Sequence, residues 1–427
     1  MAADALQGTD LGWLAERVGT PFYVYDAALV QARIQAIVAL TAAPGLQARY
    51  AMKACSAAPV LACMRAHQIW IDAVSGNEVL RARAAGYPLD GAVPEVMLTT
   101  DVFRDNALDV VREYGVLPNI GSPHMLQQLA AAGYRGPLGL RLNPGFGHGH
   151  VQSCDTGGPS SKHGIWFDEA LATAHAATRH GMTVTLLHTH IGSGPAVAEF
   201  TSNMQQLVSF FAACLEVYPH VQAVNFGGGI PHPYRPGAPS VDLVGFGHLL
   251  QDAQARFSQQ AGRAIRVEIE PGRYFVAPAA AVVTRVTDVK RTQANTKGPG
   301  HTFAMVDAGF CDLIRPAMYG SFHHISVWNA AGNAPVEPTV IAGPLCESGD
   351  VFTRDEAELV QPRPLPAVQI DDLLLIHDAG AYGYTMSSNY NSLDRAPQVW
   401  VENGLPYLIS RRETFADIVR TECFTAL

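Results

Sequence analysis

Lys53 lies in the stretch "RYAMKACSAAPVL", inside an apolar, strand-like run, yet lysine is scarce in this chain. Only four of its 29 basic residues are lysines, and Lys162, Lys290 and Lys297 fall in polar segments. Arginine cannot give up its proton at neutral pH, whereas a desolvated lysine becomes a nucleophilic amine. A lysine kept at the end of a buried strand therefore points to amine chemistry. In "LLHTHIGSG", His188 and His190 are two residues apart, which puts both on one face of a strand. Gly192–Ser193–Gly194 follow, and their small side chains and open amides suit an anion. "AVNFGGGIP" runs a strand into Gly227, Gly228 and Gly229, so backbone N–H groups can close on a phosphate without Cβ obstruction. The run is not a GxGxxG fingerprint, and the chain has no P-loop. "VEIEPGRYFV" closes another apolar run with Glu270, Gly272 and Arg273.

Each motif alone has a plain structural explanation. An isolated H-x-H pair is more often hydrogen-bonded in a core than catalytic, a glycine run is as often a bare turn, and Glu270 with Arg273 could form a surface ion pair. Further along, "DLIRPAMYG" carries Arg315 and Tyr319 four apart, on one face if helical, a pair suited to a carboxylate. "GPLCESGD" crowds Cys346, Glu347, Ser348 and Asp350 between glycines, and "DAGAYGYTM" places Tyr382 in a second glycine-rich loop. The segment 143–164 offers His148, His150, Cys154, Asp155 and His163, but the spacing fits no structural zinc pattern. No metal is expected there, and a polar loop of this length reads as a lid or substrate loop.

Such residues need elements to position them. From about residue 22 to 275, short apolar runs ("PFYVYD", "ARYAMK", "WIDAV", "VMLTT", "VLPNI", "LGLRLN", "TLLHTHIG", "AVNFGG", "RVEIEPG") alternate with alanine-rich helical patterns. Repeated β–α units of that total length match a (β/α)8 TIM-like barrel, and a doubly wound open sheet is the other solution with the same period. After residue 276 the pattern turns to β-type runs separated by Pro- and Gly-rich turns. The expected division is a barrel over 22–275, with 1–21 and 276–427 forming a mainly β domain.

The net charge of −9 argues against a nucleic-acid or anionic-membrane partner. The seven cysteines are odd in number and form no CxxC pair, which points to free thiols in a reducing compartment. No apolar run approaches the ~18 residues of a membrane span, and no signal peptide is evident at the N-terminus. A cytoplasmic location is expected.

Taken together and in order, "YAMKAC", "HTHIGSG", "GGG", "EPGR", "DAGFCDLIRPAMYGSFHHI", "GPLCESGDVF" and "DAGAYGYTMSSNYNS" resemble the fold-type III pyridoxal-phosphate decarboxylases, and within them the diaminopimelate decarboxylase group. "NPGFGHGH…TGG…SKHGIW" further resembles the branch found in enteric-type bacteria. The resemblance spans nearly the whole chain. It implies an alanine racemase-like barrel with a C-terminal β domain, binding pyridoxal 5'-phosphate, and a cytoplasmic homodimer with shared sites.

Residue by residue, the resemblance implies that Lys53 holds the cofactor, His190 stacks on its ring and Asp72 lies close by. Ser193, Gly227, Gly228, Gly229, Gly272, Arg273 and Tyr382 would contact the cofactor, several of them at its phosphate. Glu270 would face the ring nitrogen, and an opposite charge there keeps that nitrogen protonated. Cys346 would return a proton to the substrate carbon. Arg273, Arg315, Tyr319, Glu347 and Tyr382 would bind the far end of meso-2,6-diaminopimelate, giving L-lysine and CO2 in the last step of lysine biosynthesis. Decarboxylases of L-ornithine, L-arginine, D-lysine or D-ornithine share the chemistry, but these substrates lack the distal carboxylate that Arg315 and Tyr319 fit. A non-catalytic regulatory homologue would be expected to have lost Lys53, Cys346 or Glu270.

Overall fold

The computed structural model describes residues 8–89, 91, 93–147, 156–296, 298–330 and 334–425. The chain forms two compact units: Ala32–His232 with Pro239–Phe275, and Met1–Gln31 with Pro233–Ala238 and Val276–Leu427.

The first unit is a closed parallel barrel. Its eight strands are Leu46–Ala51, Trp70–Ala73, Val96–Thr100, Leu117–Ile120, Pro137–Asn143, Thr183–His188, Ala223–Asn225 and Arg266–Ile269. Each pairs in parallel with its neighbours, and Arg266–Ile269 closes the ring on Leu46–Ala51, with Val267 opposite Leu46. Helices follow the strands, and local chemistry starts them. Ser75 caps Gly76–Ala84 by accepting from the Glu78 N–H, while the Glu78 carboxylate reaches back to the Val74 N–H at 2.8 Å. Ser122 caps Pro123–Ala131, with proline at the first helical turn, where its missing N–H costs nothing. Met97, Leu117, Leu186 and Ala223 form a buried apolar cluster.

The second unit is built on a sheet running through Arg363–Pro366, Val336–Ala342, Thr302–Val306, Ala280–Arg291, Phe22–Asp26, Gln398–Glu402 and Leu405–Ser410, with Leu373–Ile376 and Ile325–Val327 off that path. Phe22–Asp26 corrects the expected barrel boundary. It is a central strand here, antiparallel to Ala280–Arg291 (Phe22 opposite Val283) and parallel to Gln398–Glu402 (Tyr23 opposite Gln398). All five of its residues are buried, and a continuous apolar run looks the same from sequence whichever sheet receives it. The helix Leu11–Val18, capped by Asp10, packs Leu11, Leu14 and Ala15 into a core with Phe22, Val24, Ala281, Val283, Leu375 and Val399. The barrel therefore begins at Leu46.

Candidate active site

Because all eight barrel strands are parallel, their carboxyl ends share one rim. Lys53 follows Leu46–Ala51 in the short 3-10 turn Met52–Ala54, and Asp72 is the penultimate residue of Trp70–Ala73. His190 and Ser193 follow Thr183–His188, the glycine triplet follows Ala223–Asn225, and Glu270, Gly272 and Arg273 follow Arg266–Ile269. Contacts tie these segments together. The Glu270 N–H donates to the Gly227 carbonyl at 2.8 Å. A Cβ at Gly229, whose φ is +106°, would stand 2.7 Å from the Gly192 carbonyl oxygen, and one at Gly228 would strike the Glu270 carbonyl. Only glycine lets this loop pack so close. Arg273 Nη2 donates to Ser193 Oγ at 3.0 Å, so a hydroxyl and a guanidinium converge beside the glycines.

Glu270 is buried and held from two sides. Asn225 Nδ2 donates to Oε1 at 2.7 Å, and His188 Nε2 lies 2.9 Å from Oε2. Burial pushes the carboxyl up, but the charge and hydrogen bond of His188, aided by Arg49 and Lys53, outweigh it and hold Glu270 below its ordinary value. Asp72 moves the other way. Burial and the nearby Glu270 charge raise it well above its ordinary value, against the opposing pull of Lys53. Two carboxyls at one rim are thus pushed apart, Glu270 toward the ionised form and Asp72 toward the neutral one. His190 is driven well below its ordinary value by burial, then by the charges of Lys53 and Arg141, so its ring is neutral.

One layer deeper, Arg49 and Glu268 form a fully buried pair, Nε to Oε2 at 2.7 Å, and Asn225 also donates to Glu268 at 3.2 Å. Burial raises Glu268, yet the charges of Arg49 and Arg266 overcome it and pull the carboxyl down to about 2. Asn225 therefore links a structural ion pair to the rim carboxylate.

Within the loop expected to act as a lid, residues 148–155 lie outside the described residues, His148, His150, Cys154 and Asp155 among them. Its described flanks are fastened: Asn143 exchanges bonds with Gly158, Thr156 Oγ1 donates to the His190 carbonyl at 2.8 Å, and His163 meets Asp101 at 2.5 Å.

In the sheet unit, Thr302–Val306 and Val336–Ala342 run parallel, so the loops after them leave from the same end. The buried Asp350 carboxylate stitches those loops, accepting from Phe310 N at 2.7 Å and Leu345 N at 2.8 Å. Cys346 and Glu347 are exposed on this loop, and Cys346 N donates to Asn391 Oδ1 at 3.0 Å. Arg315 and Tyr319 do lie on one short helix, Arg315–Tyr319, with the arginine buried and the tyrosine half-buried. Tyr382 is half-buried, with a φ of +58°.

The rim fits pyridoxal 5'-phosphate. Asp72 Oδ1 and His190 Nδ1 are buried polar atoms without a protein partner among the described residues. The glycine cradle admits no side chain, and the Ser193–Arg273 pair suits a phosphate. Residues 28–277 match the family described as pyridoxal-dependent decarboxylase, pyridoxal binding domain. The chain belongs to this family. Its similarity to diaminopimelate decarboxylases extends over nearly the full length. The Streptomyces coelicolor enzyme is 41% identical over 98% of this chain and 92% of its own. The Escherichia coli K12 enzyme is 40% identical over 96% and 95%. A crystal structure of a diaminopimelate decarboxylase, 38% identical, superposes with a TM-score of 0.91 and covers 98% of both chains. The protein is a fold-type III decarboxylase of the diaminopimelate group.

Sequence reading named the rim residues but missed the groups that hold them. Arg49 and Glu268 are 219 residues apart, and no local spacing signals their pairing. Asn225 stood in a quoted motif, directly before "FGGG", and gave no sign beyond its place. His188 was seen as half of a pair facing one way; instead the strand ends at His188, which turns to Glu270, and His190 lies beyond it.

Proposed function

We infer that this decarboxylase converts meso-2,6-diaminopimelate to L-lysine and CO2, the last step of lysine biosynthesis. The observation that carries the reading is the near-full-length identity with diaminopimelate decarboxylases. When bound, pyridoxal 5'-phosphate supplies an aromatic ring that accepts the electron pair left on carbon as CO2 departs.

The chain's own groups serve that chemistry as follows. Lys53 provides the attaching amine. Glu270, kept ionised by His188 and Asn225, would stabilise a proton on the ring nitrogen and so keep the ring electron-poor. Neutral His190 would pack against the ring without adding charge, with Asp72 near Lys53. Ser193, Arg273, Gly272, Tyr382 and the amides of Gly227, Gly228 and Gly229 hold the cofactor, chiefly its phosphate. Arg315, with Tyr319, Arg273 and Tyr382, receives the distal carboxylate, and Glu347 receives the distal ammonium. Cys346 delivers a proton to the substrate carbon.

The active unit is a cytoplasmic homodimer in which Cys346 and Glu347 complete the neighbour's site. Their exposure on a fastened loop supports this. Mixing Lys53→Ala with Cys346→Ala subunits restores activity if sites are shared and restores none if each chain is self-sufficient.

The deciding experiment is product analysis of the purified holoenzyme given meso-diaminopimelate, L-ornithine, L-arginine and D-lysine in turn. L-lysine and CO2 from the first alone is the expected result. Turnover of a substrate without a distal carboxylate would overturn the assignment of Arg315 and Tyr319.

A further inference from the structure

Arg315 is 2% exposed, and Ser321, His323 and Tyr234 stand against it. Its Nη2 donates to Ser321 Oγ at 3.2 Å, and its Nη1 lies 3.0 Å from His323 Nε2. The Tyr234 ring centroid is 4.8 Å from Cζ. The chain returns to Arg315 so soon because Gly320, with φ +61°, ends the short helix in a left-handed turn where a Cβ would strike the Glu356 backbone.

His323 is fully buried, and its other nitrogen, Nδ1, lies 2.8 Å from the His377 carbonyl oxygen. A carbonyl only accepts and a guanidinium only donates, so the imidazole must carry its hydrogen on Nδ1 and its lone pair on Nε2. The two bonds together specify a neutral ring in one tautomer. Tyr234 packs edge-on against the same imidazole, ring centroids 5.5 Å apart, so one tyrosine braces both partners. Ser321, His323 and Tyr234 thereby direct the guanidinium while adding no negative charge of their own to compete with an incoming carboxylate.

We propose that His323 is a positioning residue for substrate selection: as an acceptor locked by the His377 carbonyl, it holds Arg315 in the orientation that meets the substrate's distal carboxylate. The proposal rests on the reading of Arg315 given above, and the test separates the two.

In the purified holoenzyme, with cofactor loading checked by its visible absorbance, His323→Leu raises KM for meso-diaminopimelate about 10- to 100-fold, the effect expected for losing a bond to a charged group, and moves kcat less than about 3-fold. Two competitive inhibitors that differ only in the carboxylate sharpen the readout. Inhibition by L-lysine weakens in parallel with KM, and inhibition by 1,5-diaminopentane does not change. His323→Gln, whose amide can accept from Arg315 and donate to a carbonyl, restores most of the loss. Equal weakening of both inhibitors, or no change in either, overturns the proposal. Arg315→Met tests the underlying reading: if it leaves inhibition by L-lysine intact, that reading fails and takes the proposal with it. If Arg315→Met weakens L-lysine while His323→Leu does not, the proposal alone fails. Should His323→Leu not fold, Tyr234→Leu against the same two inhibitors decides by the same criteria.

Discussion

Glu270 in the barrel and Arg315 in the sheet unit are both buried charges, and they are held in contrasting ways. Around Glu270 stand His188 and Asn225, and below them the Arg49–Glu268 pair, so the carboxylate belongs to a chain of charged and amide groups. Arg315 is gripped by a hydroxyl, an imidazole locked neutral and an aromatic face. The difference fits the roles proposed for the two groups. A group that keeps a proton on a partner atom must have its ionisation guaranteed, which calls for favourable charge nearby. A group that recruits a substrate carboxylate already has a permanent charge, and only its direction needs fixing.

The contrast is open to breakage. Glu270→Gln keeps the shape and removes the charge; it lowers kcat about 10²- to 10³-fold, the usual cost of losing one preorganised electrostatic group, as steady-state kinetics would register. A kcat unchanged by this substitution would remove Glu270 from the chemistry.

Arg49→Met leaves Glu268 buried with Arg266 and the Asn225 amide but without its closest charge partner, and urea unfolding at pH 7 should show a loss of about 3 kcal/mol. The sign with pH follows from the depressed carboxyl. Its stabilisation is present above the unfolded value near about 4.3 and is lost as pH falls toward the folded value of about 2. The gap between wild type and variant should therefore be widest above about pH 5 and shrink on acidification.

His188→Leu removes the group that most depresses Glu270, so the folded-state carboxyl rises. On the role proposed for Glu270, the acid limb of the kcat profile should move to higher pH, with a modest loss at pH 8. An unmoved limb would show that Asn225, Arg49 and Lys53 suffice without His188.

The smallest effect belongs to the surface pair of exposed Arg411 and half-buried Asp417. Solvent screens it, and Asp417→Asn should leave the urea midpoint unchanged.

Much of the rim was legible in the chain. Lys53 stood out by scarcity, and the glycine triplet and "EPGR" stood out by composition, because glycines and charged groups at strand ends are local features of strand–turn chemistry. The boundary at residue 22 was not legible. "FYVYD" is apolar on both faces, and its partners Ala280–Arg291 and Gln398–Glu402 lie more than 250 residues away in the chain. His323 was hidden in the quoted "GSFHHI", where neither of two adjacent histidines is marked by spacing.

By itself the sequence determined the β–α alternation, the strand-to-loop positions of Lys53 and Glu270, and the family, since hydrophobic period and turn residues act within a few neighbours. Only the tertiary structure decided which sheet receives Phe22–Asp26, that His188 and Asn225 hold Glu270, and that a carbonyl and a guanidinium fix the tautomer of His323. Those outcomes depend on burial and on hydrogen bonds between distant segments, where a polar group's partner is settled by the fold that removes it from water.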